Sequence, residues 1–284
     1  MIRRTAITGL CLATATAVLA AGHQAQAQSL LERAQAGEPI SIGYSNEAPF
    51  AFQGDGGKLD GFVNVVGLAV LERMGAGNVE GVLTEWGSLI PGLQAGRFDV
   101  ITAGMYVLPA RCEQVAFTEP MGVFAEHFLV PAGNPADLHS FEDVAQNDDA
   151  VLVTGAGYAT VDYAKQLGVP DDRIMQVADP AAMLQAVIAG RAQAASATYF
   201  AMSDLDAKGG DRVELAEPFM APDFTKGYSA FAFRKDDQDF AEAFNEELQA
   251  FLGTDEFLEL VEPFGYTETH VPDGSVTTAE LCAG

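Results

Sequence analysis

A small set of polar and aromatic residues falls just beyond short runs that read as strands. Glu47 and Phe50 follow Ile40–Tyr44, and Trp86, the only tryptophan, follows Val79–Leu83. Gly104, Tyr106 and Arg111 follow Phe98–Ala103. In the second half, Gly155-Ala156-Gly157-Tyr158-Ala159-Thr160 joins a strand to a helix, and Thr198 follows Ala192–Ala197. Open α/β sheets bind ligands beyond the carboxyl ends of their strands, so these positions are the candidates for a site. A guanidinium holds a carboxylate by two parallel hydrogen bonds. Aromatic faces attract a delocalised or alkylated cation. Arg111, Glu47 and the rings of Phe50, Trp86 and Tyr106 therefore suit a small zwitterion held without covalent chemistry. Taken singly, Phe50 and Tyr106 fit core positions equally well. Trp86 fits a core anchor, and Arg111 a surface residue before a helix. Their shared placement at strand ends favours the site.

Other chemistries find less support. Gly155 and Gly157 after a strand have the look of a dinucleotide loop, but Thr160 stands where a third glycine belongs and no acidic residue closes a ribose site. The segment reads better as a helix N-terminus whose free N–H groups receive a carboxylate. No Gly-x-Ser-x-Gly elbow is present. Beyond the N-terminal segment, His127, His139 and His270 are scattered, so neither a metal nor a cofactor is expected. An enzyme would need a poised acid or base, and Glu47 is the one candidate at the strand ends. No enzymatic activity is expected.

The elements that must hold these residues alternate. Ile40–Tyr44, Val79–Leu83 and Phe98–Ala103 read as strands, with helices over Val63–Met74 and Leu89–Ala95 stopped by Gly75 and Gly96. The rhythm restarts: strands at Ala150–Thr154, Ile174–Val177 and Ala192–Ala197, helices at Thr160–Leu167 and Pro180–Ala189. Leu93-Gln94-Ala95-Gly96-Arg97 aligns with Val187-Ile188-Ala189-Gly190-Arg191, which suggests two similar lobes. A strand at Tyr228–Phe233 and an amphipathic helix over Phe240–Leu252 follow, with Phe240, Phe244, Leu248 and Leu252 on one stripe. Residues 266–284 read as an extended surface tail. The fold class is α/β, each lobe a mixed, mostly parallel sheet flanked by helices, with ligand in the cleft. Lobe 1 is expected over 28–119 and 236–284 and lobe 2 over 120–235, joined by two crossing strands and closing by a hinge.

Residues 1–27 carry the parts of a secretory signal: Arg3 and Arg4, an apolar stretch from Ala6 to Ala21, and Ala25-Gln26-Ala27 for cleavage. The chain has 284 residues, 15 basic and 40 acidic, for a net charge of −25. Such acidity repels phosphates, which excludes nucleic acid as a partner. Cleavage removes Cys11 and leaves Cys112 and Cys282. In an oxidising compartment an even count suggests one disulfide, with two separate buried thiols as the alternative.

Several stretches carry a resemblance. Gly61-Phe62 through Met74-Gly75, Leu89 through Val100, Gly104-Met105 through Arg111, and Phe117-Thr118-Glu119-Pro120 resemble, in this order, segments of bacterial extracytoplasmic solute-binding proteins of the amino-acid ABC-uptake type. The resemblance covers nearly all of 38–265. It implies a two-lobe periplasmic-binding-protein type II fold, a periplasmic monomer, and an ABC permease of the inner membrane as partner. Two departures from the amino-acid pattern matter. Tyr106-Val107-Leu108 replaces a hydroxyl-bearing segment, and Thr198 stands where an Asp usually pairs with a ligand α-ammonium. Arg111 is kept, so the ligand should still carry a carboxylate. This combination resembles the ectoine/hydroxyectoine-binding subfamily. That resemblance implies an aromatic enclosure of Phe50, Trp86 and Tyr106, with Glu47 accepting ring N–H groups and Arg111 holding the carboxylate. The Arg111-Cys112 pair and the Thr277–Cys282 tail also look similar, and a Cys112–Cys282 disulfide is expected. The alternatives are another zwitterion, a betaine or a polar amino acid, and a periplasmic dehydratase of the same fold.

Overall fold

The computed structural model describes residues 28–284, so the expected signal segment lies outside the described residues. Helix α1 (Leu30–Gln35) opens on a reciprocal cap between Ser29 and Glu32. Then come β1 (Ile40–Tyr44), the hairpin β2 (Phe52–Gln53) and β3 (Leu59–Asp60), α2 (Phe62–Arg73), β4 (Val79–Leu83), α3 (Leu89–Gln94), β5 (Val100–Tyr106), α4 (Pro109–Cys112), β6 (Ala116–Phe117) and β7 (Gly122–Phe124). The chain crosses at Ala125 into β8 (Glu126–Pro131), α5 (Phe141–Gln146), β9 (Leu152–Gly155), α6 (Ala159–Gln166), β10 (Ile174–Val177), α7 (Pro180–Ile188), β11 (Ala194–Thr198), α8 (Tyr199–Gly209) and β12 (Val213–Leu215). It returns through 216–226 to β13 (Gly227–Phe233), α9 (Gln238–Phe251), α10 (Asp255–Val261) and α11 (Thr278–Ala283).

The strands form two principal sheets, ordered β4-β1-β5-β13-β6 and β10-β9-β11-β8-β12, with β7 added beside β13. In each, three parallel strands meet an antiparallel one: β13 runs against β5, and β8 against β11. The two lobes thus repeat one plan, as the aligned Gly-Arg segments anticipate.

One expectation about the lobes needs correcting. Residues 120–235 were expected to make the second lobe, which would include both β7 and Tyr228–Phe233. Yet Ser229 pairs with Tyr106 and Gly227 with Phe124, so β7 and β13 belong to the first sheet. The boundary expected between 235 and 236 therefore lies after the return crossing, which the chain makes between β12 and β13. The apolar run of β13 is buried along nearly all its length because it sits inside that sheet.

Packing explains the remaining elements. On α9, Phe240, Phe244, Leu248 and Phe251 are buried against the first sheet, and Phe251, not Leu252, completes the stripe. The second sheet has an apolar layer on each face, one under α7 and α8 and the other under α5. The tail is not extended throughout. It ends in α11, whose Thr277 and Glu280 form a reciprocal cap, and a Cys112–Cys282 disulfide fixes it to α4 with Cα atoms 5.6 Å apart. Among the described residues, no helix is long and apolar enough to cross a membrane.

Candidate functional site

A narrow cavity lies between the two sheets. Glu47, Phe50, Trp86, Gly104, Tyr106, Arg111, Thr160 and Thr198 all line it, as do Glu126 and Tyr158. Gly157 stands beside it and takes part through its carbonyl oxygen.

Each residue is placed by a local feature. Glu47 and Phe50 sit on a tight loop closed by hydrogen bonds between the backbones of Glu47 and Ala51. Phe50 packs on Phe62 and Phe124 at ring distances of 4.7 and 5.0 Å, so it serves core and cavity together. Gly104 has φ +68°, and a Cβ there would lie 2.6 Å from the Phe50 ring. Only glycine fits that close approach at that dihedral. The Tyr106 ring rests on Gly227, where a Cβ would come within 1.8 Å of it.

Arg111 is 9% exposed and is turned inward from the short helix α4. Its Nη1 donates to the Tyr106 carbonyl at 2.9 Å and its Nη2 to the Gly157 carbonyl at 3.0 Å. A guanidinium has five N–H donors, so donors remain for a carboxylate. Burial lowers its pKa to about 10, which leaves it charged at neutral pH. Trp86 lies with its ring centre 5.7 Å from the Arg111 guanidinium carbon and 5.0 Å from the Tyr158 ring. Its indole Nε1 also donates to the Gly157 carbonyl, at 3.1 Å.

Two carboxylates face this cavity, one from each lobe. Glu47, 5% exposed, accepts from the Tyr158 hydroxyl at 2.5 Å. Glu126, 3% exposed, accepts from Thr160 Oγ1 at 2.8 Å. Burial raises both to about 7, opposed in part by these hydroxyl donors. Among the described residues neither forms an ion pair. Thr160 thus gives its hydroxyl to a protein carboxylate. Thr198 Oγ1 caps α8 by accepting from Ala201 N.

Glu126 and Tyr158 were not among the site residues expected from the sequence. Tyr158 lay within the strand-to-helix segment already noted, and its size and polarity were the available signal. Glu126 was invisible to a search of parallel strand ends. It opens the antiparallel strand β8, whose start pairs with Thr198 at the end of β11. The carboxylate that Thr198 fails to supply is therefore provided by the neighbouring strand. Among the described residues there is no cluster of three or more acidic, His or Cys side chains able to hold a metal.

The model for bacterial extracellular solute-binding proteins, family 3, matches residues 40–267. This chain belongs to that family. It is a binding protein of the two-lobed type II fold rather than an enzyme. It is 40% identical over 262 residues to a probable amino-acid ABC transporter periplasmic-binding protein, y4tE, of Sinorhizobium fredii (strain NBRC 101917 / NGR234), covering 89% of this chain and 86% of the relative. The crystal structure of EhuB in complex with hydroxyectoine matches this family member with a TM-score of 0.82 at 35% identity, over 90% of this chain and 98% of that one. An ancestral amino acid-binding protein, AncCDT-1, described as a precursor of cyclohexadienyl dehydratase, matches with a TM-score of 0.72 at 26% identity, over 83% and 99% of the two chains.

Proposed function

We propose that this family member binds a compact zwitterionic compatible solute, ectoine or hydroxyectoine, in the periplasm and delivers it to an ABC permease of the inner membrane. The observation that carries the reading is the shared cavity: Phe50, Trp86 and Tyr106 with Glu47 on the walls, and Arg111 among them. Arg111 holds the solute carboxylate by its free N–H groups, and the rings cover the delocalised cation. The likeness to the hydroxyectoine complex of EhuB supports the same ligand class. The S. fredii relative, named as a periplasmic ABC binding protein, supports the compartment and the partner. Residues 1–27 serve as the cleaved export signal, and the mature protein acts as a monomer.

A polar amino acid is the second reading. Glu126 favours it, because it restores a second-lobe carboxylate to which an α-ammonium can pair.

Calorimetry on a panel of ectoine, hydroxyectoine, glycine betaine, glutamine and arginine decides between them, with Trp86 fluorescence as a second readout. The expected result is binding of ectoine or hydroxyectoine and loss of at least roughly 100-fold in affinity for Arg111→Ala, which leaves a ligand carboxylate desolvated. Tight binding of glutamine or arginine with no response to either ectoine would replace the first reading by the second.

A further inference from the structure

Among the described residues the two cavity carboxylates have no cationic partner, although both are buried. Charges taken from water are costly unless paired and hydrogen-bonded. Glu47 and Glu126 each accept a hydroxyl hydrogen bond, from Tyr158 and Thr160. Among the described residues Arg111 is the one cation lining the same cavity, and it donates to backbone carbonyls. The Tyr106 hydroxyl is also buried there without a hydrogen-bond partner among the described residues. Among the described residues each carboxylate thus keeps acceptor capacity that no cation meets, and the two stand on opposite lobes.

We propose that Glu126 is a specificity-determining ligand residue: with Glu47 it receives N–H donors from two sides of the bound cation, so that the site takes N–H-bearing cations and rejects fully alkylated ones. This rests on the zwitterion reading above and narrows it. An amidinium offers N–H groups on two edges of one plane, which suits one carboxylate from each lobe. A quaternary ammonium offers none. It would leave the spare lone pairs of both carboxylates unmet in a dry cavity, and an unmade buried hydrogen bond costs more than a made one gains. Aromatic walls alone would welcome a betaine. The carboxylate pair is what turns that cage against it. Thr160 is a positioning residue, since its hydroxyl fixes Glu126 Oε2.

The test compares wild type with Glu126→Gln by calorimetry, using ectoine and glycine betaine as probes. The expected result is a roughly 10- to 100-fold weaker affinity for ectoine in Glu126→Gln, the size of a hydrogen bond to a charged group, and no betaine binding by wild type. Thr160→Val, which keeps the carboxylate but frees it, should give a smaller loss of the same sign. Should Glu126→Gln fail to fold, the wild-type comparison of ectoine with betaine and the Thr160→Val loss decide. If Glu126→Gln binds ectoine as wild type does, or wild type binds betaine as tightly, the inference is overturned while the zwitterion reading stands. If wild type binds neither probe but takes arginine or glutamine, the ectoine reading fails and the same variant ratio is read with that amino acid. If wild type binds no member of the panel, both fall.

Discussion

Glu47 and Glu126 are carboxyl groups whose ordinary pKa of 4.5 is raised to about 7 by burial. Tyr158 and Thr160 pull these values down by donating to them, Arg111 stays cationic beside them, and Tyr106 and Tyr163 stay neutral because burial raises their own pKa. Between about 4.5 and 7 the folded protein keeps protons that an unfolded chain has lost. These two groups therefore make the ligand-free protein less stable as pH rises through that window. A bound cation reverses the preference, because it pairs with the ionised forms. Affinity for a cationic ligand should rise from pH 5.5 to 8, and binding near pH 6.5 should release protons. Calorimetry in two buffers of different ionisation enthalpy measures that release, and Glu126→Gln should reduce it. Equal enthalpies in both buffers would show that neither group changes its protonation on binding.

At the scale of elements, the disulfide joins α11 to α4, the helix that carries Arg111 next to Cys112. The bridge spans 170 residues, so loop-closure entropy sets an upper contribution of roughly 5 kcal/mol, less whatever strain the bridge carries. The Cys112→Ala/Cys282→Ala double variant should melt at a lower temperature. Its ligand affinity should fall far less than that of Arg111→Ala. Calorimetric scanning and titration separate the two effects. Much of this element plan was legible: β1, β4 and β10 have the bounds that the sequence suggests, and α2 stops where Gly75 allows. What was hidden involves pairing between remote segments. Nothing local in Tyr228–Phe233 says that it lies against β5, and nothing local in Glu126 says that it faces Thr198. The α11 helix was hidden because its Thr277 cap precedes only a single short turn and a half. Among site residues, those following parallel strands could be found by position. Those at the start of an antiparallel strand needed the sheet order first.

At the scale of the whole molecule, three contacts bridge the lobes at the cavity. Tyr158 donates to Glu47, while Trp86 and Arg111 both donate to the Gly157 carbonyl. Two of the three converge on a single main-chain oxygen. Gly157 presents that oxygen at φ +81°, a dihedral that side-chain-bearing residues rarely adopt, so the clasp depends on this glycine as well as on the two donors. Both donors also line the ligand cavity. On the proposed reading, letting go of the solute and parting the lobes would be one event, and the clasp would set how long a loaded protein stays loaded. Trp86→Phe keeps an aromatic face but removes the indole N–H. In stopped-flow displacement it should shorten the dwell time of bound solute several-fold and leave the association rate nearly unchanged. A variant with an unaltered dwell time would place that timing elsewhere. With the clasp as drawn, a permease that pries Trp86 away from Gly157 would set the cargo free without touching it.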